Sequence, residues 1–235
     1  MNKTIVVSGG TKGIGRAIIE KFASEGFDVV TCARDQEHLE ELAQSIQTSY
    51  AETKIYTMKA DLSSVADTKQ FVEFVKKSAA SVDVLVNNTG TFVPGEIHSE
   101  AEGALDLMIN TNLYSAYHLS RGLIPQMIEN KQGDIFNICS VAGLKAYPNG
   151  GSYSISKFAM HGLSMGLREE LKPYGIRVTS VHPGATLTAS WEGVELPEER
   201  FIKSSDVADA IWGTYQMSRN SVIEELVIRP QLGDI

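Results

Sequence analysis

Short runs rich in valine and isoleucine recur along the chain, and between them apolar residues return every three or four positions. The runs cover 4–7, 27–33, 55–58, 82–86, 134–139, 176–181 and 222–228. Because they are apolar at successive positions, they predict strands buried on both faces, the pattern of a parallel sheet. Between the second and third runs, Leu39, Leu42, Ala43 and Ile46 fall at i, i+3, i+4 and i+7, one stripe of a helix packing on that sheet. The alternation predicts an α/β protein with a Rossmann-type, doubly wound, seven-stranded parallel sheet in three αβα layers. No linker, repeat or low-complexity tract interrupts it, so residues 1–235 read as a single domain. In such sheets ligands bind beyond the carboxyl ends of the strands.

The first strand leads into Ser8-Gly9-Gly10-Thr11-Lys12-Gly13-Ile14-Gly15, followed by a helical stripe through Ala17, Ile18 and Phe22. Glycines between a strand and a helix permit a tight turn and a close approach of pyrophosphate to the N–H groups at the helix start. The Walker pattern is absent, since neither Lys-Ser nor Lys-Thr follows the last glycine. After the second strand stands Ala33-Arg34-Asp35. An acidic residue there would hold the ribose of NAD, whereas Arg34, with Lys12 nearby, can pair with the 2′-phosphate of NADP. The expectation is NADP(H), with Asp35 as an alternative ribose ligand if the strand ends one residue later.

Tyr153 and Lys157 share a helical face at i and i+4. A phenol working as proton donor and acceptor near neutrality needs a shift of roughly 3 units, and one positive charge about 4 Å away supplies that much. Tyr50 and Lys54 repeat the interval at a helix–strand junction but lack a companion hydroxyl. Tyr153 has one in Ser140, at the end of the fifth strand, where it can bind the carbonyl oxygen that the tyrosine protonates.

With these motifs in order, the chain resembles the short-chain dehydrogenase/reductase family over nearly its whole length. The resemblance rests on Gly9, Gly13 and Gly15, Asp61-Leu62, Asn87-Asn88-Thr89-Gly90, Asn112, Ser140, Tyr153, Lys157, and Pro183-Gly184 with Thr188. It implies that Tyr153 is the general acid/base, Ser140 orients the substrate, Lys157 binds ribose and tunes Tyr153, and Asn112, in a long helix, holds a water in a proton relay. Around the cofactor it implies Gly9, Thr11, Lys12, Gly13, Ile14, Gly15 and Arg34, with Asp61 and Leu62 at the adenine. Asn88 and Gly90 would lie at the ribose, and Pro183, Gly184, Thr186 and Thr188 near the nicotinamide. Thr89 stands where the family usually has alanine, and Thr186 where a β-branched apolar residue is usual. A short substrate lid is expected near 188–204, with Trp191 and Phe201 as apolar contacts. The resemblance further implies a homodimer or homotetramer.

Composition narrows the partners. With 21 Lys and Arg against 29 Asp and Glu, the formal charge is −8, which disfavours nucleic acid. Two cysteines, Cys32 and Cys139, allow no disulfide framework and fit a reducing, cytoplasmic setting. Neither a signal-peptide core nor an apolar stretch of about 18 residues is present, so no membrane is expected. The five histidines form no zinc pattern in the sequence, and no metal is expected.

A G-x-S-x-G run at Gly162–Gly166 offers a serine hydrolase, but Ser164 falls inside a helical segment instead of following a strand. The expected function is NADPH-dependent reduction of a small carbonyl, or the reverse oxidation. The C-terminal run from Glu224 to Ile235 resembles sepiapterin-reductase-like bacterial members and points to a pteridine ketone. A 3-oxoacyl-[acyl-carrier-protein] reductase is the alternative, its acidic partner docking on Lys145, Arg168 and Lys172. A non-catalytic NADP sensor is the alternative of another class.

Overall fold

The computed structural model describes residues 2–188, 193 and 196–235. Seven strands, β1 (Thr4–Ser8), β2 (Asp28–Ala33), β3 (Ile55–Lys59), β4 (Val84–Asn87), β5 (Gly133–Ile138), β6 (Ile176–Pro183) and β7 (Glu225–Ile228), form one parallel sheet in the order β3-β2-β1-β4-β5-β6-β7. The order reverses between β1 and β4, and the crevice at that switch is where the glycine loop and the fourth-strand motif meet. The last strand is shorter than its apolar run, because pairing with β6 begins only at the register Ser180 with Glu225.

Alternation along β1 sends Ile5 and Val7 to one face and Val6 to the other. On the first face they meet α1 (Gly13–Ser24), α2 (Gln36–Ser49) and α7 (Ser204–Gln216), through Ile18, Phe22, Leu42 and Ile211. On the second they meet α3 (Val65–Ser78), α5 (Ser115–Asn130) and α6 (Gly151–Leu171), through Phe71, Leu119, Met127 and Leu171. Each buried side chain of this size contributes about 1.5–3 kcal/mol, so the two cores fix the strand ends as a rigid platform. Of the apolar stripe on α5, Leu123 and Met127 are fully buried, whereas Tyr117 stays exposed.

At the amino edge, the buried carboxylate of Asp134 accepts from Arg177 Nε and from Arg219 Nη1, both at 2.6 Å. This ties β5 to β6 and to the turn after α7, far along the strands from the catalytic edge. Among the described residues no helix is long and apolar enough to cross a membrane.

The long helix expected around Asn112 is interrupted. A short helix, α4 (Ala104–Ile109), passes through a π-helical turn at Asn110–Tyr114 before α5 begins. Such a turn carries one extra residue and displaces the side chains it contains.

Candidate active site at the strand ends

The glycine loop is shaped by contacts that leave no room for side chains. Gly9 and Gly13 have φ of +70° and +55°, in the region that favours glycine. A Cβ on Gly15 would lie 2.4 Å from the Gly9 carbonyl oxygen and 2.5 Å from Asn88 Nδ2. The first-turn N–H groups of α1 have no intrahelical acceptors, and its N-cap, Lys12, provides no side-chain cap. Thr188 faces this loop, its Cγ2 3.0 Å from where a Gly13 Cβ would stand. An open cradle with free donors and the positive end of the helix dipole fits a pyrophosphate.

β2 ends at Ala33, so Arg34 is the first residue beyond it, exposed and, among the described residues, without a hydrogen bond or ion pair. Asp35 is committed elsewhere: its Oδ1 accepts from Glu37 N at 2.9 Å and His38 N at 3.2 Å, capping α2. Those bonds, with Lys12 adding its charge nearby, hold the Asp35 carboxyl below its usual value. Asp35 is a helix cap, and the guanidinium of Arg34 beside it is exposed with no carboxylate partner among the described residues.

Asn88 supports the loop. Its Nδ2 donates to the Ser8 and Gly9 carbonyls at 3.0 and 2.9 Å, while Ser8 Oγ accepts from the N–H groups of Asn88 and Thr89. Leu62 is buried in the second core, and exposed Asp61 accepts from Ser63 N and Oγ, which turns the chain after β3. Pro183 ends β6, Gly184 N donates to the Ile228 carbonyl at 2.8 Å, and Thr186 Oγ1 donates to the Gly184 carbonyl at 3.0 Å. Thr11 and Ile14 lie in the glycine turn, Ile14 packing on the first core. The expected lid falls in part outside the described residues, Trp191 included; Phe201 is buried and Ile202 belongs to the first core.

Ser140, Tyr153 and Lys157 come together as the spacing predicts. The Tyr153 phenol lies beside the Ser140 hydroxyl, and the Phe92 ring packs edge-on against Tyr153 with centroids 4.9 Å apart. Lys157 Nζ donates to the Ile138 carbonyl at 2.9 Å. Gly90 faces both Lys157 and Asn112, its open α-carbon leaving space over them. The start of α6 is anchored by the Glu100 carboxylate, which accepts from Ser152 N at 3.2 Å and from Ser152 Oγ.

Electrostatics differ from the sequence expectation. Loss of water around it raises the Tyr153 phenol above its usual value, with the neighbouring Ser140 hydroxyl opposing. Burial also pushes Lys157 down to about 8. The low dielectric around both groups penalises either charge, and this outweighs the expected lowering of Tyr153 by Lys157. At neutral pH the phenol keeps its proton, the state needed to give one to a carbonyl.

Asn112 reaches the site from the π turn. Its Nδ2 donates to the Thr91 carbonyl at 3.0 Å and to Ser156 Oγ at 2.8 Å, while its Oδ1 accepts from Thr91 N at 2.7 Å. The side chain thereby locks the loop after β4 to the helix that carries Tyr153.

The two decoys separate cleanly. Tyr50 caps the C-terminus of α2 and packs on the first core, while Lys54 is exposed. Ser164 is buried and donates to the Met160 carbonyl at 2.9 Å, while accepting from Asn137 Nδ2 at 2.8 Å. Asn137 also accepts from Asn87 Nδ2 at 2.8 Å, so this serine belongs to a buried polar chain and has its hydroxyl committed within it. Sequence spacing gave no sign of Phe92, Glu100 or Asn137, which touch the site only through the fold. It also missed that His161, His182 and Glu225 lie together, their ligand atoms within 4.8 Å of one another.

Residues 3–199 match the family model for short chain dehydrogenases. The chain belongs to the short chain dehydrogenase family. Among other family members, a sepiapterin reductase of Chlorobaculum tepidum is 31% identical, covering 100% of this chain and 99% of its own. An uncharacterized oxidoreductase of Staphylococcus saprophyticus is 30% identical over 97% of both chains. Among solved structures, a metagenomic short-chain oxidoreductase in complex with NADP has a TM-score of 0.83 at 32% identity, covering 97% of each chain. An L-sorbose reductase from Gluconobacter frateurii, complexed with NADPH and L-sorbose, has a TM-score of 0.90 at 25% identity, covering 97% of this chain and 95% of that one. As a short chain dehydrogenase, the protein is an oxidoreductase.

Proposed function

We propose that the protein is an NADP-dependent dehydrogenase/reductase that reduces a small ketone to its alcohol, and catalyses the reverse, with Tyr153 as general acid/base. The observation that carries the reading is the half-buried, protonated Tyr153 beside Ser140 at the carboxyl edge, next to an open glycine cradle and an Arg34 that has no partner among the described residues. NADP would be held by the α1 N-terminus and the Gly9–Gly15 turn, with Arg34 and Lys12 at its 2′-phosphate and Lys157 at a ribose. Bound NADPH supplies the hydride. Ser140 donates a hydrogen bond to the substrate carbonyl oxygen, and Tyr153 gives that oxygen its proton as the alcohol forms. Lys157, as an ammonium, stabilises the phenolate left behind, and Asn112 keeps Tyr153's helix in place.

The substrate is a flat or apolar ketone. Phe92 packs edge-on against Tyr153, and the half-exposed Tyr147 lies on the segment between Ser140 and α6. Two aromatic walls suit a pteridine-like ring, in line with the sepiapterin reductase relative. The acyl-carrier-protein reading is weakened, since Arg168 is paired with Glu224 at 3.1 Å and Lys172 with Glu169. Of the three cations proposed as an acidic partner's rim, only Lys145 has, among the described residues, no carboxylate against it. Exposed Leu107, Tyr117, Ile155 and Phe158 on α4, α5 and α6 support pairing with a second copy. The test is NADPH oxidation with sepiapterin, small aromatic ketones, ketoses and a 3-oxoacyl thioester side by side. Turnover of the ring ketones above the thioester is expected; no turnover of any of them would favour the NADP sensor.

A further inference from the structure

His182, on β6, is completely buried, and its Nδ1 lies 3.0 Å from the Ser140 carbonyl oxygen. A carbonyl only accepts, so Nδ1 carries the proton and the neutral ring presents a lone pair at Nε2. That Nε2 has no hydrogen-bond partner among the described residues. A buried acceptor without a donor is costly unless something fills its place.

Around it stand His161 of α6, with ring centroids 4.7 Å apart, and Glu225 of the edge strand β7. His161 Nε2 and Glu225 Oε1 are 3.2 Å apart, and all three ligand atoms fall within 4.8 Å of one another. Ligands at about 2.05 Å from a tetrahedral zinc ion are separated by about 3.4 Å, so small rotations would close the set. His161 and Glu225 also line a cavity of about 130 Å³, enough for a water at the remaining position. Around that cavity Arg168 is paired with Glu224 and Lys172 with Glu169, so Glu225 is the carboxylate left, among the described residues, without a lysine or arginine partner. A histidine that ligates a metal through one nitrogen while the other donates to a backbone carbonyl is the arrangement His182 already has.

We propose that His161, His182 and Glu225 bind one divalent transition ion of the zinc type, with water completing four-coordination. The ion fastens edge strand β7 to α6 and to the strand leading into Pro183-Gly184, and holds the imidazole that donates to the Ser140 carbonyl. On binding, the His161 Nε2 proton passes to solvent, or to Nδ1 if that nitrogen is free, so no more than one proton is released.

The test uses tag-free, chelator-stripped protein titrated with Co²⁺ and, separately, Zn²⁺. One equivalent of Co²⁺ should give the intense visible bands of a four-coordinate ion, which Zn²⁺ then displaces, and Zn²⁺ should raise the unfolding midpoint. His161→Gln and Glu225→Gln, both reaching the surface, should each weaken binding at least about a hundredfold, above the range for outer-shell partners. Since His182→Asn alters a buried position, these two variants carry the test. Absence of saturable binding, a pale octahedral cobalt spectrum, or affinity unchanged in both variants would overturn the proposal.

Discussion

The ammonium of Lys157 lies 5.7 Å from the ring centroid of Tyr153 and is tethered to the Ile138 carbonyl at the end of β5. One turn of α6 therefore places the charge and the phenol against a fixed strand end. The lysine cannot swing away without losing a buried hydrogen bond.

Tyr153→Phe removes the proton donor and leaves the cradle intact. Turnover should fall about 10²- to 10⁴-fold while NADPH affinity, measured by fluorescence titration, stays within about twofold. Tyr50→Phe should leave activity unchanged, since that ring packs on the first core away from the strand ends.

The pH profile of kcat/KM for reduction should show an alkaline limb near pH 8. Burial pushes Lys157 down to about 8, so its charge is present below that pH and lost above it, while Tyr153, raised, remains protonated through the same range. Lys157→Arg should move the limb upward, because a guanidinium keeps its charge there. A limb unmoved in that variant would assign it to another group.

Arg34→Ala should weaken NADPH binding about ten- to a hundredfold, equivalent to roughly 1.5–3 kcal/mol for a charge-assisted contact. NADH, which lacks the 2′-phosphate, should bind nearly as before. Raising salt should narrow the wild-type preference, since the exposed contact is screened. Parallel titrations with both nucleotides check all three.

Gly15→Ala places a methyl group 2.4 Å from the Gly9 carbonyl oxygen and must displace the loop or Asn88. Stability should drop by about 1–3 kcal/mol, and dinucleotide affinity should fall with it. Chemical denaturation and nucleotide titration read the two effects.

Asp134→Asn strips both Arg177 and Arg219 of their carboxylate. The loss should reach about 3 kcal/mol or more, because Arg177 is left as a buried charge without its counterion. KM for NADPH should be unchanged, as this cluster lies at the amino edge of the sheet. Urea denaturation alongside steady-state kinetics distinguishes the two.

The strands were legible because burial on both faces leaves long apolar runs, and the glycine turn because its backbone tolerates nothing else. The place of Arg34 just beyond β2 was legible from the strand's length and its distance from the glycine turn. The π turn was not, since Asn110–Tyr114 has no unusual composition and the extra residue is visible only in the hydrogen bonding. Nor was the meeting of His161, His182 and Glu225, which come from a helix, an inner strand and an edge strand and share no sequence period. The lowering expected for Tyr153 did not appear, because the site that brings an ammonium near also strips water from the phenol and the amine.

The π turn also separates two demands on one helix. An added residue absorbed in a local bulge leaves the faces before and after it in phase, so α4 and α5 keep the packing of an uninterrupted rod. Only Asn112 and its immediate neighbours are offset. A one-residue deletion within 110–114 should therefore leave Leu119, Leu123 and Met127 seated in the core while unlatching the loop at Thr91 from the helix of Tyr153. The bulge makes the asparagine a replaceable fitting on a frame that would stand without it.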